Sequence, residues 1–232
     1  MILSLMVLAF AASGRAQETG AAGATERNEW LPTFEAVAVD ADLDIKFVRV
    51  PDTEAPKIVY DTKGSYTTKF RAEVKDKTLR ITEKSDSRRP DRTQVTVYYN
   101  ALRAVSLAGA AAVFEQTLEA PVFDMVLNRK ASLTAKLDIR DLKMDQTGYS
   151  SATLSGSVRY LTLYVSTGKV AASELEVMSA DVNAQSKAEV WLWITDRFVG
   201  KTTTNARISY KGDPKVVRGG AKFMGGEINH VP

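Results

Sequence analysis

Apolar and polar residues alternate with a period of two from residue 34 onward, and amphipathic helical spacing is hard to find. FEAVAV (34–39) and LDIKFV (43–48) alternate cleanly, and KIVY (57–60), KFRAEV (69–74), TLRIT (78–82) and TQVTVYY (93–99) are further short strand candidates. Such alternation places one set of side chains on each face of a strand, so these segments have one buried and one wet face. KDK (75–77) predicts a tight hairpin turn, and KSDSRRPDR (84–92) a solvated loop.

After Leu102 the texture changes. VSLAGAAAV, VLNRKASL, QTGYSSATL, VSTGKVAA, NAQSKAEV and KTTTNARI follow one another, each a short approach, a small or polar turn, and usually a closing aliphatic. The closing residues Val113, Leu133, Leu154, Ala172, Val190 and Ile208 are 20, 21, 18, 18 and 18 residues apart. At the fourth, Val170 is an alternative to Ala172. A second apolar series, Leu118, Leu137, Val158, Leu175 and Leu192, is spaced 19, 21, 17 and 17. A unit of this length cannot bury its own apolar side, but stacked copies form a continuous core. Leucine-rich repeats would need a recurring Leu-x-x-Leu-x-Leu and an Asn ladder, which the approach strands LRAVSL, VFDMVL and LTLYVS lack. The spacing therefore predicts an all-β chain whose second part is a parallel β-helix, with Val113, Leu133, Leu154, Val190 and Ile208 stacked inward as one column. Gly109, Gly148 and Gly168, with Ala111, Ala131, Ala152, Ala188 and Ala206, suit corners that need positive φ or close stacking.

The start changes the picture again. Ile2 to Ala12 is an apolar stretch interrupted only by Ser4 and followed by Gly14-Arg15-Ala16, too short to span a membrane and shaped like an export signal. Residues 1–16 are read as a signal peptide, 17–29 as a flexible lead-in, 30–104 as an N-terminal β region, and 105–232 as coils with a C-terminal cap. The expected mature chain begins near Gln17, has no transmembrane segment, and is periplasmic, surface-bound or extracellular. It contains no cysteine, which removes disulfides, thiol catalysis and lipid attachment through a thiol. The net charge is only +3, from 31 Lys+Arg against 28 Asp+Glu, and no basic stripe interleaves with aromatics, which argues against a nucleic-acid partner.

The phrases SLAGAA (106–111), TGYSSATLSG (147–156) and VSTGKVAAS (165–173), and the close YKGDP (210–214), resemble the bacterial auto-transporter adhesin, head GIN domain family. FEAVAVDADLDIKFVR is similar to that family's opening strand pair, and LRITEK to a later strand. The resemblance covers residue 30 to the end and implies a right-handed, mostly parallel β-helix in an exported, adhesin-like protein. It supplies no catalytic residues. NRKA (128–131), AQSKA (184–188) and TTNA (203–206) depart from the family by lacking glycine, so those corners must be built from other residues.

Little else carries chemistry. His230 is the only histidine and lies three residues from the end. Asp124, Asp138, Asp141, Asp145, Asp181 and Glu189 do not recur in one column at the coil step. GGAKFMGG (219–226) lacks the context of a phosphate loop and reads as a terminal strand between turns. No cofactor, metal or enzymatic activity is implied. In VWLWI (190–194) the inward Val190, Leu192 and Ile194 send Trp191 and Trp193 outward, the one candidate partner surface, with Tyr149, Tyr160 and Tyr164 as candidate company. The expected function is a non-catalytic adhesin-like scaffold that binds a protein or glycan of the cell envelope or host, with self-association open. A glycan-cleaving enzyme on the same fold and a purely structural envelope protein are the alternatives.

Overall fold

A computed structural model describes residues 26–63, 69–84 and 91–231. The leader 1–16 and the first part of the lead-in lie outside the described residues. The chain forms β1 (Glu26–Trp30), β2 (Ala36–Asp40), β3 (Leu43–Arg49), β4 (Lys57–Asp61), β5 (Phe70–Lys75) and β6 (Thr78–Glu83). It continues through β7 (Thr93–Tyr99), β8 (Ala104–Ala108), β9 (Ala111–Phe114), β10 (Leu118–Asn128), β11 (Ser132–Thr147) and β12 (Ser151–Ser166). The last are β13 (Lys169–Gln185), β14 (Glu189–Thr203), β15 (Arg207–Lys211), β16 (Val216–Phe223) and β17 (Glu227–His230). All belong to one sheet wound into a parallel β-solenoid of about six turns.

The N-terminal strands are the first coil rather than an appendage. β2 pairs in parallel with β8, and β3 with β9, so the alternating apolar residues of 36–49 face the same core as the coils that follow. On their other side β6 and β7 pair in parallel with β2 and β3, and three antiparallel pairings are added: β1 with β4, β4 with β7, and the hairpin β5–β6. Residues 26–29, expected in a flexible lead-in, are instead part of edge strand β1. The expected turn at 75–77 is present: Lys75 pairs with Thr78, and Asp76 and Lys77 take φ of 51° and 57°, the geometry of a two-residue hairpin turn.

From β8 onward every coil pairs in parallel with the next. One inward column runs Ile45, Ala112, Leu133, Ala152, Val170, Val190, Ile208, Ile228. A second runs Val37, Val105, Met125, Met144, Leu163, Val182. Each step is one strand spacing, about 4.8 Å, and the buried apolar side chains make one continuous core.

This register corrects two members of the expected column. Val113 points outward and is 46% exposed, and Ala112 takes its place. Leu154 is buried but lies one row along, opposite Ala135, while Ala152 stands above Leu133. At the fourth coil the column passes through Val170, and Ala172 stands opposite Leu192. The second expected series also divides. Leu118 and Leu137 do stack, and Gly156 and Leu175 continue their row. Val158 instead joins Ile139 and Val177. A slip of two residues keeps a side chain on its face, so the alternation that marks a face is silent about the row.

The corners use non-glycine residues where the sequence lacks glycine. Arg129, Ser186, Lys187, Thr204 and Asn205 all have positive φ, between 55° and 66°, a conformation that costs an L-residue roughly 1–2 kcal/mol. One corner is braced from inside: buried Gln146 donates from Nε2 to the carbonyls of Ser150 (2.7 Å) and Lys169 (3.1 Å). At the C-terminal end, β16 covers residues 216–223, so Gly219-Gly220 lie inside the strand where a turn was expected, and the turn at Met224-Gly225 follows it.

Candidate functional site

Val190, Leu192 and Ile194 are buried in the core, so alternation drives Trp191 and Trp193 to the outer face of β14. The two indoles have different surroundings. In the ladder, Trp191 stands between Ala171 on β13 and Ser209 on β15. Neither neighbour is long enough to cover an indole, and Trp191 remains 41% exposed. Ser209 itself is buried, a short side chain between Trp191 and Asn229 on the same face.

Trp193 is half-buried and held on two sides. Its ladder neighbours are Glu176 and Lys211. The Lys211 ammonium lies 5.0 Å from the ring centroid, a cation–π distance, and 3.4 Å from Glu174 Oε1. Gly212, at φ 99°, lets the backbone turn beside the indole, since a Cβ there would come within 3.1 Å of Trp193 Cδ1 and 2.2 Å of the Ile194 carbonyl oxygen. The site is thus one open tryptophan beside one clamped tryptophan, edged by Lys211, Glu174 and Glu176. An apolar ring with a polar rim can stack on a sugar or seat in a protein interface.

The tyrosines do not join it. Tyr160 pairs with Asp141 and Ser179, beyond the Gly156 bend and on the next side of the coil. Tyr164 lies further along that side and accepts a hydrogen bond from Gln185 Nε2. Tyr149 is strongly exposed, at a corner. Among the coil carboxylates, Glu119 and Asp138 stack in one row, whereas Asp124, Asp141, Asp145, Asp181 and Glu189 have non-acidic register partners. Among the described residues no group of three or more His, Asp or Glu side chains is placed to hold a metal ion. His230 is a structural clasp: its ring stacks on Tyr210 at 5.0 Å, and Nε2 donates to the Gly212 carbonyl at 2.7 Å.

The family model described as "putative auto-transporter adhesin, head GIN domain" matches residues 33–214. The chain belongs to this family. Among solved structures, a "putative adhesin" from Bacteroides fragilis superposes with a TM-score of 0.79 at 18% identity, over 89% of this chain and 96% of that one. A "putative adhesin" from Parabacteroides distasonis gives 0.65 at 18% identity, with the same coverage of 89% and 96%. A protein called "putative lipid binding protein", also from Parabacteroides distasonis, gives 0.61 at 16% identity, again over 89% and 96%. At these identities the likeness establishes the shared fold. No curated protein matches the chain in sequence. The head GIN resemblance read from the turn phrases and the YKGDP close is therefore confirmed over the coils, the first strand pair included. Among the described residues no helix is long and apolar enough to cross a membrane.

Proposed function

We propose that this head GIN protein is an exported, non-catalytic binding scaffold, and that its partner surface is the outer face of β14 around Trp191 and Trp193. The partner is a protein or glycan of the cell envelope or host. One observation carries the reading: a 41%-exposed tryptophan between two small residues, beside a second indole fixed by Lys211 and Gly212. A rigid solenoid pre-organises such a platform, so little conformational freedom is lost on binding. The family name and the adhesin-titled neighbours support a binding role. Glycan cleavage would need two carboxyl groups facing each other across the scissile bond; Glu119, Asp138 and Glu176 stand instead along a single row, broken by Ser157, with the other coil acids on other rows.

The test is a paired measurement on Trp191→Ser, Trp193→Ser and the double variant. Trp191→Ser should change stability by no more than about 0.5 kcal/mol, as surface substitutions do. Trp193→Ser should cost about 1–2 kcal/mol, because it is half-buried under a cation. Binding to glycan arrays or isolated envelope components should fall about tenfold or more with Trp191→Ser alone, since exposed aromatic anchors dominate interface energetics. Full binding by Trp191→Ser would refute the assignment of the face.

A further inference from the structure

A second surface lies about three coils away, where the hairpin β5–β6 overhangs the first coil corners. It is an open cleft of about 990 Å³ lined by Asp40, Asp42, Thr82, Glu83, Gly109 and six cationic residues: Lys69, Arg71, Lys84, Arg92, Arg129 and Lys130. Of the 31 Lys+Arg and 28 Asp+Glu of the chain, six and three line this cleft, which leaves 25 of each everywhere else. The whole positive surplus of the protein is gathered at one concave place. A cleft lined by one dominant sign of charge focuses the field and raises the local concentration of opposite charge.

The cations divide by role. Arg92 is structural: Nη2 donates to Asp42 Oδ1 (2.5 Å) and to the carbonyls of Leu43 and Gly109 (both 3.2 Å), and Nη1 meets Asp44 Oδ1 at 2.9 Å. It ties the first two coil corners together and forms one wall. Arg129 is paired with Asp40 at 2.6 Å. Arg71, Lys84 and Lys130 are exposed and, among the described residues, none has a carboxylate at ion-pairing distance. These three reach the cleft from different segments, Arg71 and Lys84 from the hairpin and Lys130 from the corner after β10.

We infer that this cleft binds an acidic polysaccharide, whose carboxylate or sulfate groups meet Arg71, Lys84 and Lys130. Cations brought from separate segments suit a ligand with several separated charges rather than one small anion. Among the described residues, the lining holds no aromatic residue on which a nucleic-acid base could stack. It also has no large aliphatic side chain to receive an acyl chain. Thr82, Glu83 and Asp40 offer acceptors for the hydroxyl groups that lie between the charges of an acidic glycan. Guanidinium and ammonium donors form charge-assisted bonds to carboxylate and sulfate oxygens.

Calorimetric titration of the mature chain should show binding to polygalacturonate or dextran sulfate and none to neutral dextran. The triple variant Arg71→Gln/Lys84→Gln/Lys130→Gln should weaken that binding about tenfold or more with an unchanged melting temperature. Removing three exposed cations elsewhere, Lys136→Gln/Arg159→Gln/Lys201→Gln, should weaken it no more than about threefold, the effect of net charge alone. Trp191→Ser/Trp193→Ser should leave it intact, which separates this site from the β14 face. Equal losses in the two triple variants would overturn the proposal, as would absence of binding to both acidic polysaccharides. Tighter binding of inorganic polyphosphate, or of vesicles containing phosphatidylglycerol, would also overturn it.

Discussion

Replacing Gly156 with alanine should be among the most damaging conservative changes in this chain. Gly156 sits within β12 at φ 100° and stacks between Leu137 and Leu175. A Cβ there would lie 2.1 Å from the Leu137 carbonyl oxygen, 3.0 Å from its nitrogen and 3.1 Å from its carbonyl carbon. All three atoms are backbone, so no rotamer change relieves the clash. Relief requires β11 and β12 to separate by about 1 Å at this point, against a ladder spacing of about 4.8 Å. The left-handed backbone costs an alanine about 1–2 kcal/mol. Loss of one or two ladder hydrogen bonds adds about 1 kcal/mol each. Reduced freedom of the unfolded chain returns about 0.4–1 kcal/mol. The net expectation is a loss of about 2–3 kcal/mol. Gly219→Ala is the matched control: its φ is not in the left-handed region, and an added Cβ would meet only Ile228 Cδ1, at 3.5 Å. Urea unfolding followed by circular dichroism should give the control a change within about 0.5 kcal/mol. If the two alanine variants unfold at the same midpoint, the reasoning from the Gly156 stack is wrong.

Thr204→Asn should stabilise the chain by about 0.5–1 kcal/mol, because Thr204 is exposed at φ 55° and asparagine tolerates that region better than a β-branched residue; thermal melting checks it. The Tyr99 phenol is buried and pushed up to about 12, mainly by desolvation. Because the folded value lies above the ordinary value near 10, its contribution to stability is complete below pH 10 and is lost as pH rises toward 12. Tyr60 is also raised, by burial and by its hydrogen bond to Glu29, so ultraviolet phenolate titration should show a delayed portion that Tyr99→Phe reduces without abolishing, and an unchanged profile in Tyr99→Phe would contradict its burial. Intact-mass measurement of material secreted by a bacterial host should find a chain starting near Gln17, and retention of Met1 to Ala16 would refute the export reading.

How much of this was legible in the sequence follows from the range of each force. Alternation at period two is a local consequence of strand geometry, so the inward set Val190, Leu192 and Ile194, and hence the outward tryptophans, could be read directly from VWLWI. The recurrence near 20 residues likewise reports stacked coils, since each unit must repeat the core it shares with its neighbours. Backbone sterics are local too, which is why the glycine-poor phrases at 128–131, 184–188 and 203–206 already implied corners built without glycine. Row register is not local. Whether Ala152 or Leu154 stands above Leu133 depends on where each corner turns, set by the packing of adjacent coils. Surface charge is more distant still. Asp40, Arg71, Lys84, Arg92 and Lys130 belong to five separate stretches of a chain whose composition is nearly neutral, and only the overhang of β5–β6 on the coil corners brings them to one cleft. The sequence by itself determined that the coils stack and, along strands such as VWLWI, which side chains face inward; beside the corner at 109–110 it put Val113 inward where Ala112 stands. Tertiary packing decided which of them become neighbours, because a contact between coils is made through space about 5 Å wide and some 20 residues of chain.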